Sequence, residues 1–256
     1  MIAFDEGDII IGIFFFLYGI VIGSFLNVCI YRLPAGESVA KERSHCQSCG
    51  YILSWYDLIP LFSYIFLRGR CRKCKEHISI QYPIIEALNG VLYVLIFYLY
   101  GWSIDSAIYC LLTSALIVLS VIDFRTQEIF LVNNGFILAL GLVHLGFHLG
   151  DWVNLVIGLF AVSIPLALIV LATNEGAMGW GDVFLMGAAG LLIGWKSAVF
   201  ALVAGCVVGS VIHIIRMRFF GAERKLAMGP YLSIGILLSI TLCRGFVDWY
   251  FAMLHL

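Results

Sequence analysis

Gly179-Trp180-Gly181-Asp182 opens a 34-residue apolar run, Asp182 to Ile215, and the reading of that run decides the fold. A bilayer is crossed by about 20 apolar residues. The run therefore reads as two short membrane helices, parted at its most polar break, Gly194-Trp195-Lys196-Ser197. A carboxylate at the mouth of such a run costs about 2.5–3.5 kcal/mol on insertion, so Asp182 reads as functional. One other acid stands in a comparable place: Asp123, closing the apolar stretch from Leu111 to Ile122. The two aspartates are expected to face each other and to do acid–base chemistry.

The rest of the composition agrees. Of 256 residues 62% are hydrophobic and 12% charged, against roughly 25% charged in a soluble domain. With a mean hydropathy of +1.02, the chain reads as an all-α polytopic membrane protein whose main partner is the lipid bilayer. The net charge of -1 says nothing of other partners, and no nucleic-acid partner is expected. Asp5, Glu6 and Asp8 precede the first apolar run where a cleavable signal peptide carries basic residues, so Ile9 to Ile30 reads as a true span.

Eight spans are expected, at about 9–30, 83–102, 106–123, 130–149, 152–172, 180–195, 198–215 and 230–246. They give three parts: a first transmembrane helix (1–30), one sizeable soluble segment (31–82), and a seven-helix core (83–256). Lysine and arginine set the orientation. The segment 31–82 and the connections 124–129 and 216–229 hold 13 of the 15 basic residues, including Lys41, Arg224 and Lys225. Their side should be the cytoplasm, which puts both termini outside and both aspartates at cytoplasmic helix ends. Arg244, near the outer end of the last span, can snorkel to the interface.

About 50 residues bury too little to hold themselves together, so 31–82 needs a staple. Cys46-Gln47-Ser48-Cys49 and Cys71-Arg72-Lys73-Cys74 supply one, as two CxxC pairs separated by 21 residues. Each tight turn brings two thiolates to one edge of a metal, and two turns complete a tetrahedral zinc-ribbon-like site. Disulfides or a redox pair are the alternative, and a cytoplasmic loop argues against stable disulfides. Four thiolates leave no open position, so the zinc is expected to be structural. His45 and His77 flank the knuckles as surface groups. Cys29, Cys110, Cys206 and Cys243, in apolar runs, read as small buried thiols.

Two carboxylates sharing a proton can cut a peptide. One, ionised, activates water; the other, protonated, donates to the carbonyl or the leaving amine. Glycines on both sides of Trp180 would let the backbone approach an extended peptide. The same two acids could instead serve as a relay in a proton- or ion-coupled transporter. That reading calls for polar groups continuing across the bilayer, and the sequence has no such line. Glu86 and Glu175 are candidate supporting groups. Asp105, Asp151 and Asp248 read as solvated.

The chain resembles the bacterial type IV prepilin peptidases, the leader peptidase/N-methyltransferases. The resemblance rests on Gly23-Ser24-Phe25-Leu26-Asn27-Val28-Cys29-Ile30-Tyr31-Arg32-Leu33-Pro34 and on the four-cysteine segment through Ile78-Ser79-Ile80-Gln81-Tyr82-Pro83. Ile122-Asp123, Met178-Gly179-Trp180-Gly181-Asp182-Val183 and Gly229-Pro230-Tyr231-Leu232 complete the ordered set. The resemblance implies that Asp123 and Asp182 are the catalytic pair of a GxGD membrane aspartyl protease, with Gly179 and Gly181 in the active-site loop. It implies removal of the basic leader of a prepilin or pseudopilin at the cytoplasmic face. Methylation of the new N-terminal amine with S-adenosylmethionine would follow. No glycine-rich nucleotide fingerprint follows a strand, and Gly69 and Arg70 are the candidates for the methyl-donor site. Phe130, Leu131 and Phe184 depart from the pattern near the aspartates, and Gln47, Gln81 and Met228 depart elsewhere. Which pilin is cut and how many chains associate are not written in the sequence.

Overall fold

A computed structural model describes residues 6–40, 43–176, 178–220, 226–241, 245 and 253. Lys41, Arg224, Lys225, Cys243, Arg244 and Asp248 lie outside the described residues. The described chain is all-α, with no strand and two isolated bridges, His45 to Ile52 and Arg70 to His77. It divides into two compact units, Met1–Val118 and Leu119–Leu256.

Unit 1 holds α1 (Glu6–Ala35), the cysteine segment with a five-residue helix α2 (Phe62–Phe66), α3 (Gln81–Tyr100) and the first part of α4 (Ile104–Thr126). Helix α1 runs beyond the expected span, to Ala35; Pro34 falls in its last turn, where the bond it removes, to the Ile30 carbonyl, interrupts almost no helix beyond it. It packs along α3 at backbone distance. A Cβ on Gly19 would stand 2.7 Å from the Cα of Gly90, and one on Gly23 would stand 2.7 Å from the Cα of Glu86. In lipid no hydrophobic effect drives helices together, so such close backbone approach supplies the attraction. Polar side chains add to it. Asn89 donates to the Gly19 carbonyl (2.7 Å), the Ser114 hydroxyl donates to Asn89 Oδ1 (2.9 Å), and Tyr93 meets Ser114 at 3.0 Å. Each such buried bond within the membrane contributes about 0.6–2 kcal/mol.

Unit 2 continues α4 from Leu119 and adds α5 (Leu131–Phe147), α6 (Trp152–Ala161), α7 (Ser163–Thr173), α8 (Trp180–Ile193), α9 (Trp195–Phe220) and α10 (Gly229–Ile240). Among the described residues, five stretches are long and apolar enough to cross a membrane: α1, α3, α4, the stretch Leu149–Thr173 that contains α6 and α7, and Trp195–Phe219 in α9. Helices α5, α8 and α10 are apolar but shorter. Helix α8 is the enclosed one, with ten of its 14 residues buried, mainly against α5 and α6. At 1.5 Å per residue it is about 21 Å long, short of a hydrocarbon layer of about 30 Å. The expected break follows it. Gly194 turns the chain at φ +78°, and the Asn154 side chain accepts from the Trp195 N–H at 3.4 Å. Interrupted helices are tolerated at membrane depth where the freed backbone finds such partners. Helix α9 starts three residues earlier than expected, because Gly194 alone makes the turn.

Candidate active site and cysteine cluster

Asp123 lies in the last turn of α4 and Asp182 in the first turn of α8, so two helix ends within unit 2 carry the pair. Both are nearly closed to solvent, 4% and 7% exposed. They are close enough for the charge of one to act on the other. The backbone N–H of Gly229, at the start of α10, donates to Asp123 Oδ2 at 2.8 Å. Only glycine allows that approach, since a Cβ there would stand 2.7 Å from the same oxygen. Asp182 Oδ1 is buried and has no hydrogen-bond partner. No lysine or arginine pairs with either acid among the described residues. Buried charge is ordinarily paired; a cation-free pair of neighbouring acids is the arrangement in which one proton is shared.

The two glycines of the GxGD stretch do different things. Gly179 is extended and precedes α8, whereas Gly181 is already helical. Gly181 is small because Ile129 presses on it: a Cβ there would stand 2.6 Å from Ile129 Cβ. Its carbonyl accepts from Asn134 Nδ2 at 2.9 Å, which ties α5 to the first turn of α8. The sequence reading did not single out Asn134, nor the role of the Gly229 amide. An Asn-Asn pair at 133–134 in an apolar span was the available signal, since amides in lipid are seldom without a task. Phe184 is half exposed and stacks on Trp180 at 6.1 Å. Glu175 is exposed, and Glu86 belongs to unit 1.

The cysteine segment of unit 1 contains two copies of one turn. Gly50 N–H donates to Cys46 O (2.8 Å) and Lys75 N–H to Cys71 O (3.1 Å). Cys46 N–H reaches Tyr51 O and Cys71 N–H reaches Glu76 O, both at 2.8 Å. Gly50 and Lys75 occupy matching left-handed positions, φ 68° and 61°. The four sulfurs all fall within 4.8 Å of one another, with Cys46 and Cys74 3.8 Å apart. Thiolates about 2.3 Å from a tetrahedral metal would stand about 3.8 Å apart, so the cluster fits a metal. The N–H of Cys74 holds the Cys71 thiol down at about 7. Cys74 is pushed up to about 12 despite a helping N–H from Glu76, by burial and by its three sulfur neighbours. Four thiolates at this spacing need a cation. His45 and His77 are exposed beside the cluster and outside it.

Behind the knuckles, unit 1 has a half-open cavity of about 800 Å³ between α1, α3 and the cysteine segment. Two buried acids face it. Asp57 is tied down: it accepts from Arg72 Nε at 2.7 Å and from the Ser54 N–H at 3.2 Å. Glu86, 6% exposed, accepts from the Leu61 N–H at 2.8 Å. Gly69 and Arg70 do not line the cavity. Gly69 makes the turn at φ 66° under Tyr64, and its carbonyl accepts from the Ile78 N–H, which sets up the second knuckle.

Comparison with known proteins matches residues 17–100 to the Bacterial Peptidase A24 N-terminal domain and residues 110–214 to the Type IV leader peptidase family. A prepilin leader peptidase/N-methyltransferase of Pectobacterium carotovorum subsp. carotovorum is 33% identical, over 85% of this chain and 88% of its own length. The chain belongs to the prepilin leader peptidase/N-methyltransferase family. Another member, from Aeromonas hydrophila, is 32% identical over 92% of both chains. A member from Myxococcus xanthus (strain DK1622) is 30% identical over 82% of this chain, which spans only 64% of that relative's length. No solved structure matches. The candidate spans and the family together make this a multi-pass inner-membrane protein.

Proposed function

We propose that the protein is a membrane-embedded aspartic endopeptidase that removes the leader of prepilins or pseudopilins, with Asp123 and Asp182 as its catalytic pair. The observation that carries the reading is the pair itself: two buried, neighbouring carboxylates without a cation, one held by the Gly229 amide and one with an unpartnered oxygen. One carboxylate takes a proton from water as it attacks the scissile carbonyl, and the other gives a proton to the leaving amine. The pair titrates as a unit. Gly229 and Asn134 fix the two helix ends from which it projects. The transporter alternative finds no support in the family.

The second activity is N-methylation of the amine that cleavage exposes. S-adenosylmethionine supplies for it an electrophilic methyl group on a positively charged sulfur. The cavity of unit 1 fits such a donor in size, since small-molecule pockets run about 300–1,000 Å³. Zinc is the metal we propose for Cys46, Cys49, Cys71 and Cys74. It would be structural, because four sulfurs leave it no open position. We propose eight spans, both termini outside and a cytoplasmic catalytic side; the five long and three shorter apolar helices among the described residues and the lysine and arginine bias support this.

The test uses the purified chain and a prepilin peptide, with product masses read with and without S-adenosylmethionine. The wild-type protein should release the leader and add one methyl group. Cleavage persisting in Asp123→Asn or Asp182→Asn would refute the pair.

A further inference from the structure

The cavity of unit 1 contains one acid that the proposed hydrolysis does not use. Of its two buried carboxylates, Asp57 is neutralised by Arg72 and holds the second knuckle in place. Glu86 has no ion-pair partner among the described residues. It sits on α3 with a backbone N–H on one oxygen and the Ser24 hydroxyl of α1 directed at the same group. Leu61, which supplies the N–H, lies at φ 61° without being glycine. Such strain is kept where the surroundings over-determine it, commonly at functional sites.

The chemistry of amine methylation asks for such a group. A free α-amine has a pKa of about 7.7–8.0, so most of it is protonated at neutral pH and has no lone pair to offer. A nearby carboxylate can hold the ammonium by charge and take its proton before the nitrogen reacts. We propose that the unit 1 cavity is where the trimmed pilin amine is methylated, and that Glu86 is the carboxylate that binds its ammonium and accepts its proton. This rests on the methyltransferase reading above. Glu86 first takes one proton from the ammonium, and the lone pair so freed forms the N–C bond as the methyl–sulfur bond breaks. The electron pair of that bond returns to sulfur, leaving a neutral thioether and a methylammonium.

The other ionisable groups around the cavity are accounted for. On α1, Arg32 reaches the Ser38 carbonyl at 3.2 Å, and Tyr31 stacks on Tyr82 of α3 at 5.7 Å. In the cysteine segment, Tyr64 donates to the Ile78 carbonyl at 3.4 Å. His45, Glu76 and His77 are exposed beside the knuckles, and Cys46 and Cys71 belong to the sulfur cluster. Glu37 is exposed after the end of α1. The flat Tyr31–Tyr82 pair offers a surface on which an adenine could stack.

The experiment uses the full-length protein in detergent and a pilin peptide supplied already trimmed, so methylation is read without cleavage. Glu86→Gln keeps an acceptor for the Leu61 N–H but cannot take a proton. It should lower methylation about 10²-fold at pH 7. The deficit should shrink as pH rises past the pKa of the amine, while leader cleavage stays within twofold of wild type. Glu86→Asp, the control for folding, should keep the wild-type pH profile at a reduced rate. Calorimetry with S-adenosylhomocysteine reads the cavity separately: Ser63→Trp, which fills it, should abolish binding, and Glu86→Gln should retain it. Wild-type methylation rate and pH profile in Glu86→Gln would overturn the role of Glu86, as would loss of methylation at every pH in Glu86→Asp. Unchanged binding in Ser63→Trp would overturn the cavity. A wild-type protein that cleaves but never methylates would instead remove the methyltransferase reading on which the inference stands.

Discussion

In unit 1 the buried acids Asp57 and Glu86 are held by neighbours: a guanidinium and a backbone N–H for the first, a backbone N–H and a hydroxyl for the second. In unit 2 each acid has a single backbone N–H, from Gly229 for Asp123 and from Gly179 for Asp182, and Asp182 Oδ1 has nothing. Both pairs are equally closed to solvent, so burial does not separate them. Partnership does. A carboxylate held by donors from two elements stays where it is, which suits a group that holds a fold or receives a cation. A carboxylate short of donors, beside another, is free to exchange a proton, which suits hydrolysis. The difference carries a stability sign: removing charge should harm unit 1 and spare unit 2.

The widest separation between the pairs should appear on replacing acid by amide. Asp123→Asn and Asp182→Asn should each lower cleavage by about 10⁴-fold, while the thermal unfolding midpoint in detergent stays level or rises. A fall in that midpoint with either variant would show that the unit 2 acids are structural after all. Next comes the single N–H that orients Asp123. Gly229→Ala brings a methyl group to 2.7 Å from Oδ2, and kcat on a prepilin peptide should fall about 10²-fold with little change in KM. An unaffected kcat would mean the Gly229 contact does not position the acid.

On the unit 1 side, Asp57→Asn loosens Arg72 and with it the second knuckle. Metal retention against a chelator should weaken about tenfold, with leader cleavage unchanged; a matching loss of cleavage would erase the contrast. The smallest effect lies within the knuckles. Lys75 endures the left-handed conformation that Gly50 adopts freely, so Lys75→Gly should stabilise the cysteine segment and Gly50→Lys destabilise it. Each change should be about 0.5–1 kcal/mol, measured as resistance to limited proteolysis. Equal effects of one sign would show that the two turns are not equivalent.

Much of this was legible along the chain. The apolar runs gave the helices because lipid demands long uninterrupted stretches, and a local demand leaves a local trace. The two CxxC pairs gave the sulfur cluster for a similar reason, since a knuckle is built from neighbours in sequence. Asp123 and Asp182 stood out because charge is rare in such surroundings. The helix ends were less legible. Tyr31 to Ala35 continue α1 although they read as the start of a loop, and α9 begins at Trp195 because Gly194 alone makes the turn. The contribution of Gly229 could not be read from its own neighbourhood, as its partner lies 106 residues away. Gly181 reads as a glycine that lets the backbone approach a peptide, yet it is a contact point for Ile129.

By itself the sequence determined that this is an all-α membrane protein with two expensive acids and a four-sulfur staple, because each of those features is a matter of composition or short spacing. Only the tertiary structure decided which acids are partnered and which are not. It also decided that a cavity lies behind the knuckles and that Glu86 faces it. Hydrogen-bond partners and cavities depend on segments distant in the chain meeting in space, and no local pattern records such meetings.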